Sequence, residues 1–310
     1  MAKLTEPFIL GVDVSKEQLQ VFDWVNQQRF SLDNDPKAIR RFLRSLHGPV
    51  RLAVEPTSNY HLLLVDEAHA LGLEVFLVNG RQLRHYREAV NKRNKTDPDD
   101  AWLLARYLAH EAEQLRPYRP LDGKARELWA LLKRRALIVI SQTQLRQSLA
   151  DVKVARQGLW REFAHLLRGI DQQLLVLIRE LGWWAAYERC LSIPGVGPLN
   201  AAALVAAFHR GAFANADAFI AFIGLDVRLR QSGVFKGKRK LTKRGEAEIR
   251  RLLFCATQGA CRHAPFAAYL QRQLDKGLSK TAARVVLGRK LARIAFALIT
   301  QQQSFNPSTA

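Results

Sequence analysis

Three carboxylates stand within four residues at Asp97, Asp99 and Asp100, in the run Asn94-Lys95-Thr96-Asp97-Pro98-Asp99-Asp100-Ala101. The run leads directly into Trp102-Leu103-Leu104-Ala105-Arg106-Tyr107-Leu108, whose apolar residues recur at helical spacing. Pro98 suits the first helical position, which makes Asp97 the N-cap and Asp100 the third residue of the first turn. Residues three apart share a helix face, so Asp97 and Asp100 converge while Asp99 looks elsewhere. Taken alone, that pair reads as an acidic capping box satisfying free backbone N–H groups. Two further acids change the balance. Asp13 and Glu55 each close an apolar stretch, Phe8-Ile9-Leu10-Gly11-Val12-Asp13-Val14 and Arg51-Leu52-Ala53-Val54-Glu55, at the C-terminal end of an expected strand. A carboxylate buried there is costly unless it is paired or binds a cation. Asp13, Glu55, Asp97 and Asp100 together form an all-oxygen donor set. Such a set suits two Mg²⁺ ions about 4 Å apart, clamping the attacking and leaving oxygens of a phosphodiester. Gly11 is expected to let substrate backbone approach the strand.

The other candidates lie in the last third. Leu191-Ser192-Ile193-Pro194-Gly195-Val196-Gly197-Pro198, followed by an apolar run from Ala201 to Phe208, resembles a helix–hairpin–helix element. Its glycines, Gly195 and Gly197, would expose backbone N–H groups to a phosphate at a helix N-terminus without reading bases. A tight turn between packed helices is the plainer alternative. Val227 to Thr242 reads as a long irregular stretch, and loops of that length in a compact domain are usually functional or disordered. Around it stand Arg228, Arg230, Lys236, Lys238, Arg239, Lys240, Lys243 and Arg244, all expected to meet nucleic acid. Within it, Gln231-Ser232-Gly233 places a hydroxyl beside a flexible glycine and among cations that would stabilise a phosphate. A loop serine is more often solvated than nucleophilic, so that feature is weak by itself. Arg250 and Arg251 then open a helix whose basic face is expected to track a phosphate backbone.

The elements that must position these residues follow from pattern. Strands are expected at Phe8–Val14, Leu19–Val25 and Arg29–Leu32, forming an antiparallel meander, then at Arg51–Glu55 and Glu74–Val78. Helices are expected at about Pro36–Leu46, Tyr60–Leu71 and Arg81–Val90, with the acidic motif opening the next. Strands first and strand–helix alternation afterwards indicate a mixed α/β sheet covered by helices. From Leu121 the character changes. Glu127–Leu149 and Trp160–Leu181 are long, rich in Leu, Arg, Gln and Ala, and read as an antiparallel helical hairpin or coiled-coil arm broken near Gln157-Gly158. Its expected role is a spacer or an oligomerisation element. Trp183 to Ile299 reads as mainly helical, and the tail after Ser304 as frayed. The domains expected are thus 1–120, the arm 121–182, a basic domain 183–304 and a tail 305–310.

Composition bounds the partner. The 310 residues carry 48 Lys+Arg against 28 Asp+Glu, a net +20. From Arg210 to Ala310 there are 19 Lys or Arg and 5 Asp or Glu, so +14 of that excess sits in the last third. A field of that sign favours a polyanion, with nucleic acid first. No polybasic segment adjoins a long apolar helix, which argues against a membrane surface. Cys190, Cys255 and Cys261 show neither CxxC spacing nor an even framework, so no disulfides or zinc site are expected and the compartment is reducing. Met1 to Pro7 has no apolar signal core, and no run of eighteen apolar residues occurs. The expectation is a cytoplasmic protein.

At this point the pattern resembles a known family. Gly11-Val12-Asp13-Val14-Ser15-Lys16, Val54-Glu55-Pro56-Thr57 and Asn94-Lys95-Thr96-Asp97 with Asp100 are similar to the DEDD domain of the insertion sequence 110 transposases, which include the Piv-type DNA invertases. Ile193-Pro194-Gly195-Val196-Gly197, Phe222-Ile223-Gly224-Leu225, Ser232-Gly233 and Lys243-Arg244-Gly245 resemble that family's C-terminal domain. The resemblance implies a RuvC-like, ribonuclease-H-type fold with Asp13, Glu55, Asp97 and Asp100 as a metal-binding tetrad. It also implies Ser232 as a nucleophile that joins to DNA, and a structured bridge RNA that pairs with target and donor DNA. In one respect the chain departs from it: the segment between Ser232 and Lys243 is more basic and about one residue shorter than the family pattern. The expected function is an RNA-guided, Mg²⁺-dependent DNA recombinase of a bacterial or archaeal mobile element, associated with the nucleoid and working as a dimer or tetramer. Two alternatives are a RuvC-like nuclease that uses water, and a non-catalytic nucleic-acid-binding protein in which the acids merely cap and pair.

Overall fold

Alternation along the first strand decides which residues face which layer. In β1 (Phe8–Val14), Leu10, Val12 and Val14 are buried together on one face, which leaves Ile9, Gly11 and Asp13 to the other. The structure, a computed structural model, describes residues 7–91, 97–152, 157–228, 231–232, 235–236 and 240–307. The chain divides into two compact units, Met1–Pro120 and Leu121–Ala310.

The first unit is built on a five-stranded sheet. Its elements are β1, β2 (Gln18–Asp23), β3 (Gln28–Asp33), α1 (Pro36–Ser45), β4 (Val50–Val54), α2 (Leu62–Ala70), β5 (Glu74–Leu77), α3 (Gly80–Ala89) and α4 (Asp97–Glu111). The spatial order is β3-β2-β1-β4-β5. β1, β2 and β3 pair antiparallel, whereas β4 runs parallel to β1 and β5 parallel to β4. β2 ends at Asp23, earlier than the pattern suggested, because the Asp23 carboxylate accepts from the backbone of Val25 and Asn26 and turns the chain. Ile39 and Leu43 of α1 and Leu64, Val65 and Ala68 of α2 cover the Leu10/Val12/Val14 face. On the opposite face, Leu103, Leu104, Tyr107 and Leu108 of α4 and Leu83 of α3 pack on Ala53, Phe76 and Val78. This gives a three-layer α/β arrangement with a mixed sheet in the middle.

The second unit is mostly helical. α5 (Gly123–Ser148) and α6 (Gln157–Glu180) run antiparallel, as shown by the pairs Lys124–Glu180 and Arg135–Asp171 and by Arg146 lying 5.1 Å over the Trp160 ring. α6 starts at Gln157, so the interruption lies before the Gln157-Gly158 step, and Gly158 sits in a first turn where glycine costs little. Then come α7 (Trp184–Leu191), α8 (Pro198–Phe208) and α9 (Ala216–Phe222), with α10 (Ala247–Ala260), α11 (Ala264–Asp275) and α12 (Lys280–Gln301) closing the unit. α8 is buried without a break from Ala201 to Ala207, and Leu287, Leu291, Ala295 and Leu298 of α12 share its core. The stretch Val227 to Thr242, expected to be irregular, instead carries two short ladders. β6 (Val227–Arg228) pairs with β9 (Lys240–Leu241), and β7 (Gln231–Ser232) pairs with β8 (Phe235–Lys236), both antiparallel. Two-residue strands are too short to leave a period-two pattern in sequence. Among the described residues no helix is long and apolar enough to cross a membrane.

Candidate active site and nucleic-acid interface

The parallel register sets Val12 beside Val54, so the next residues along, Asp13 and Glu55, stand at the same ends of neighbouring strands. Asp13 shares its face with Gly11, and Glu55, the residue after β4, meets Gly80 of α3, the helix whose Leu83 packs with Ala53 and α4. Both therefore belong to the side of the sheet that α4 covers. Gly11 explains how closely the helix lies: a Cβ there would overlap the Ala101 carbonyl and the Ala105 amide of α4. The space at Gly11 is thus filled by this helix and not by substrate backbone, which corrects the expectation above. The helix direction follows from its far end. His110 meets Trp24 edge-on at 5.8 Å, and the Trp24 amide donates to Ile9 O near the start of β1. α4 consequently runs against β1, with its first turn toward the Asp13 end. Four residues back from Ala101 along a helix is about 6 Å, and two residues on from Gly11 along a strand is about 6.6 Å.

In that first turn, α4 begins at Asp97, one residue before the expected start, a difference within the usual ambiguity of helix ends. Asp100 is 5% exposed and is ion-paired with Arg87 of α3. Its carboxylate is therefore engaged across helices by a guanidinium. Asp99 looks the other way, as expected, toward Arg29 of β3 at 3.8 Å. Glu55 is cradled by the start of α3. A Cβ on Gly80, the first residue of that helix, would overlap Glu55 Oε1, and Asn79 caps the same turn by accepting from Arg81 N. The Asp97 side chain lies outside the described residues. Among the described residues no three Asp, Glu, His or Cys side chains form a group that could hold a metal ion, so Asp13, Glu55 and Asp100 do not make one by themselves. Sequence reading missed Gly80 and Arg87. Neither carries a local signal, since one matters by lacking a side chain and the other by a partner thirteen residues away.

In the second unit, Ser232 lies in β7, paired with Phe235 of β8, and its side chain is outside the described residues. The same holds for the Lys236 side chain and for Arg230, Lys238 and Arg239 entirely. Arg228, Lys240, Lys243 and Arg244 are exposed around the base of this hairpin. Arg250 and Arg251 are used differently from the expected basic face. Arg250 Nη1 donates to Gly245 O at 2.7 Å and Ile223 O at 3.2 Å, and burial lowers its pKa. Arg251 pairs with Glu248 at 2.6 Å, which raises its pKa. Gly195, with φ +86°, packs directly on α10: a Cβ there would overlap Ala260 N and lie 2.6 Å from Ala256 O. Its glycine is thus required for helix packing, while Gly197 has open space and precedes Pro198 at the start of α8. Burial pushes the Cys190 thiol up to about 12, so it is inert at neutral pH.

Residues 10–152 match a family model of the IS110 DEDD type described as a transposase, and residues 187–271 match one described as transposase, IS116/IS110/IS902 family. A pilin gene-inverting protein of Moraxella bovis is 29% identical over 268 residues, covering 83% of this chain and 82% of that protein. Its counterpart in Moraxella lacunata is 28% identical with the same coverage. A probable family 20 transposase of Pseudomonas aeruginosa is 26% identical over an alignment of 343 residues, covering 96% of this chain and 98% of that one.

Proposed function

The chain belongs to the IS116/IS110/IS902 family of transposases, and from that premise we propose that it recombines DNA through a metal-held acidic tetrad and a serine nucleophile, guided by RNA. The observation that carries the catalytic part is the placement of Asp13 and Glu55 at adjacent parallel strand ends, on the face toward which the first turn of α4 points. Parallel strand ends are where ligands of α/β sheets bind. The order β3-β2-β1-β4-β5, with its antiparallel meander and two parallel strands, supports a RuvC-like, ribonuclease-H-type reading.

The donor set fits a hard cation. It consists of carboxylate oxygens, and Gly80 leaves a cradle for Glu55 that any other residue would fill. Asp13, Glu55, Asp97 and Asp100 would hold Mg²⁺, which when bound supplies positive charge to both oxygens of the displacement. The chain's own steps are these. The Ser232 hydroxyl gives up its proton as Oγ bonds to the scissile phosphorus, while the bond from phosphorus to the 3′ oxygen breaks and that oxygen is protonated. A 3′-hydroxyl of the second DNA then attacks the same phosphorus and returns the serine hydroxyl. Ser232 belongs to one unit and the tetrad to the other, so the reaction needs them to meet within one chain or between copies. Self-association would use the α5–α6 pair, where Leu137, Ile140 and Leu166 are at least 49% exposed.

The pilin gene-inverting relatives support inversion of DNA as the outcome, and the family 20 transposase relative supports transposition. Guidance by RNA rests on the family resemblance and on the +14 carried by the last third. The test is recombination of a defined DNA pair by protein purified with its RNA and again after ribonuclease treatment. Loss on digestion and recovery on adding back RNA are expected. Undiminished recombination by RNA-free protein would remove the guide from the proposal.

A further inference from the structure

The hairpin that bears Ser232 leaves and rejoins the helical body at two glycines that touch. Gly224, with φ +73°, ends the approach from α9, and Gly245 begins the return to α10. A Cβ on Gly224 would stand 2.9 Å from Arg244 N and 3.0 Å from Lys243 C, and one on Gly245 would overlap Phe222 O. Outgoing and returning chains are therefore in backbone contact. Beyond the glycines the two strands are tied again: Thr242 N donates to Asp226 O at 3.0 Å, and the Thr242 hydroxyl donates to the Asp226 carboxylate. Val227 then pairs with Leu241, and Arg228 with Lys240.

One side chain spans this junction. Arg250, on the first turns of α10, donates from a single nitrogen to Ile223 O on the outgoing chain and to Gly245 O on the returning chain. The nitrogen is also 2.8 Å from where a Gly224 Cβ would stand, so the glycine makes room for the guanidinium. A charged donor shared between two carbonyls outside regular structure is stronger than a neutral one. Burial of the group is consistent with its lowered pKa.

We propose that Arg250, together with the Asp226–Thr242 tie, is a positioning clasp that fixes the base of the hairpin and thereby the register in which Ser232 is presented to the scissile phosphate. The proposal rests on the serine-nucleophile reading above. Arg250 acts through the loop and touches neither substrate nor metal. Misplacement of a reacting group by about 1 Å costs on the order of 100-fold in rate, which is the size of effect the clasp should control.

The experiment uses the full chain with its RNA and compares wild type, Arg250→Gln, Arg250→Lys and Asp226→Asn. Three quantities are read: covalent protein–DNA adduct formed in a single turnover at saturating DNA, DNA affinity, and amide exchange at residues 227–228, 240–241 and in α12. Arg250→Gln should slow adduct formation about 100-fold with DNA affinity unchanged. It should also speed exchange at 227–228 and 240–241 while α12 stays protected. Arg250→Lys, which keeps the charge and one donor nitrogen, should recover part of the rate, and Asp226→Asn should reproduce the loss in milder form. Weakened DNA binding with normal exchange would overturn the clasp and make Arg250 a phosphate contact. Unchanged rate and exchange would overturn it too, as would loss of protection throughout α12 in both Arg250→Gln and Asp226→Asn, which would make these residues general to the fold. Ser232→Ala is run alongside. If its adduct survives, the nucleophile reading fails, while the exchange at 227–228 and 240–241 still decides whether the clasp exists.

Discussion

Arg87 decides what Asp100 can be in the absence of a cation. A carboxylate that is 5% exposed is costly to leave unpaired, and the guanidinium of α3 supplies its counter-charge. Removing one partner of such a pair costs about 3–5 kcal/mol, because the other is left buried and uncompensated. Arg87→Gln should therefore destabilise the first unit by that order, measured by denaturant unfolding. Millimolar Mg²⁺ should restore part of the loss by binding only the folded form. A loss of less than about 1 kcal/mol would show that Arg87 is not the counter-charge of Asp100, and no response to Mg²⁺ would separate Asp100 from the proposed metal site. Gly80 is the second control at this scale. Gly80 opens α3, where glycine costs little, and a methyl there meets only the far end of the Glu55 side chain, so Gly80→Ala should leave the melting temperature nearly unchanged. Recombination should still fall about 100-fold, since the new methyl displaces the Glu55 carboxylate. Full activity in Gly80→Ala would show that the position of Glu55 is immaterial.

At the scale of elements, β1 and α4 show what was legible and why. The two strands that lead to Asp13 and Glu55 could be read because alternation and a stop at Pro56 leave plain marks, although β4 closes at Val54, one residue before the acid expected to end it, and the acidic opening of α4 could be read from its apolar spacing. The antiparallel run of α4 over β1 could not, because it depends on Gly11 meeting Ala101 and Ala105 across ninety residues. From sequence Gly11 reads as room for substrate, because its contact with α4 leaves no local mark. Arg250 reads as part of a basic face because an Arg-Arg pair looks like one, and only its two carbonyl partners reveal otherwise. The residue after α8 offers a test of local desolvation. His209 is exposed as a residue, but its ring stacks on Trp183 at 4.1 Å, and the desolvation of that ring lowers its pKa. Its folded pKa lies below the unfolded value of about 6.5, so folding favours the neutral ring. Its contribution is present above that pH and is lost as pH falls toward the folded pKa. His209→Phe should flatten the fall in stability of the second unit below about pH 6.5 relative to wild type, as followed by thermal melting. Parallel curves for the two proteins would show that His209 titrates freely.

For the whole molecule, the function proposed assigns the partner to charge and the chemistry to the tetrad. Binding to nucleic acid should weaken with salt at a log–log slope of about −0.9 per neutralised phosphate on duplex DNA and about −0.7 on single strands. Replacing exposed Lys240, Lys243 and Arg244 by Gln should lower the slope by about one for each that meets a phosphate. A slope unchanged by all three would place the interface elsewhere. The most direct measurement of the central claim is covalent capture of DNA. End-labelled target and donor DNA are incubated with protein and RNA, with and without Mg²⁺, and the products are resolved under denaturing conditions. Wild-type protein should give an adduct only with Mg²⁺, and Ser232→Ala, Asp13→Ala and Asp97→Ala should each give none while still binding nucleic acid. An adduct in Ser232→Ala, an adduct without divalent metal, or active wild-type protein that never forms one would contradict the account.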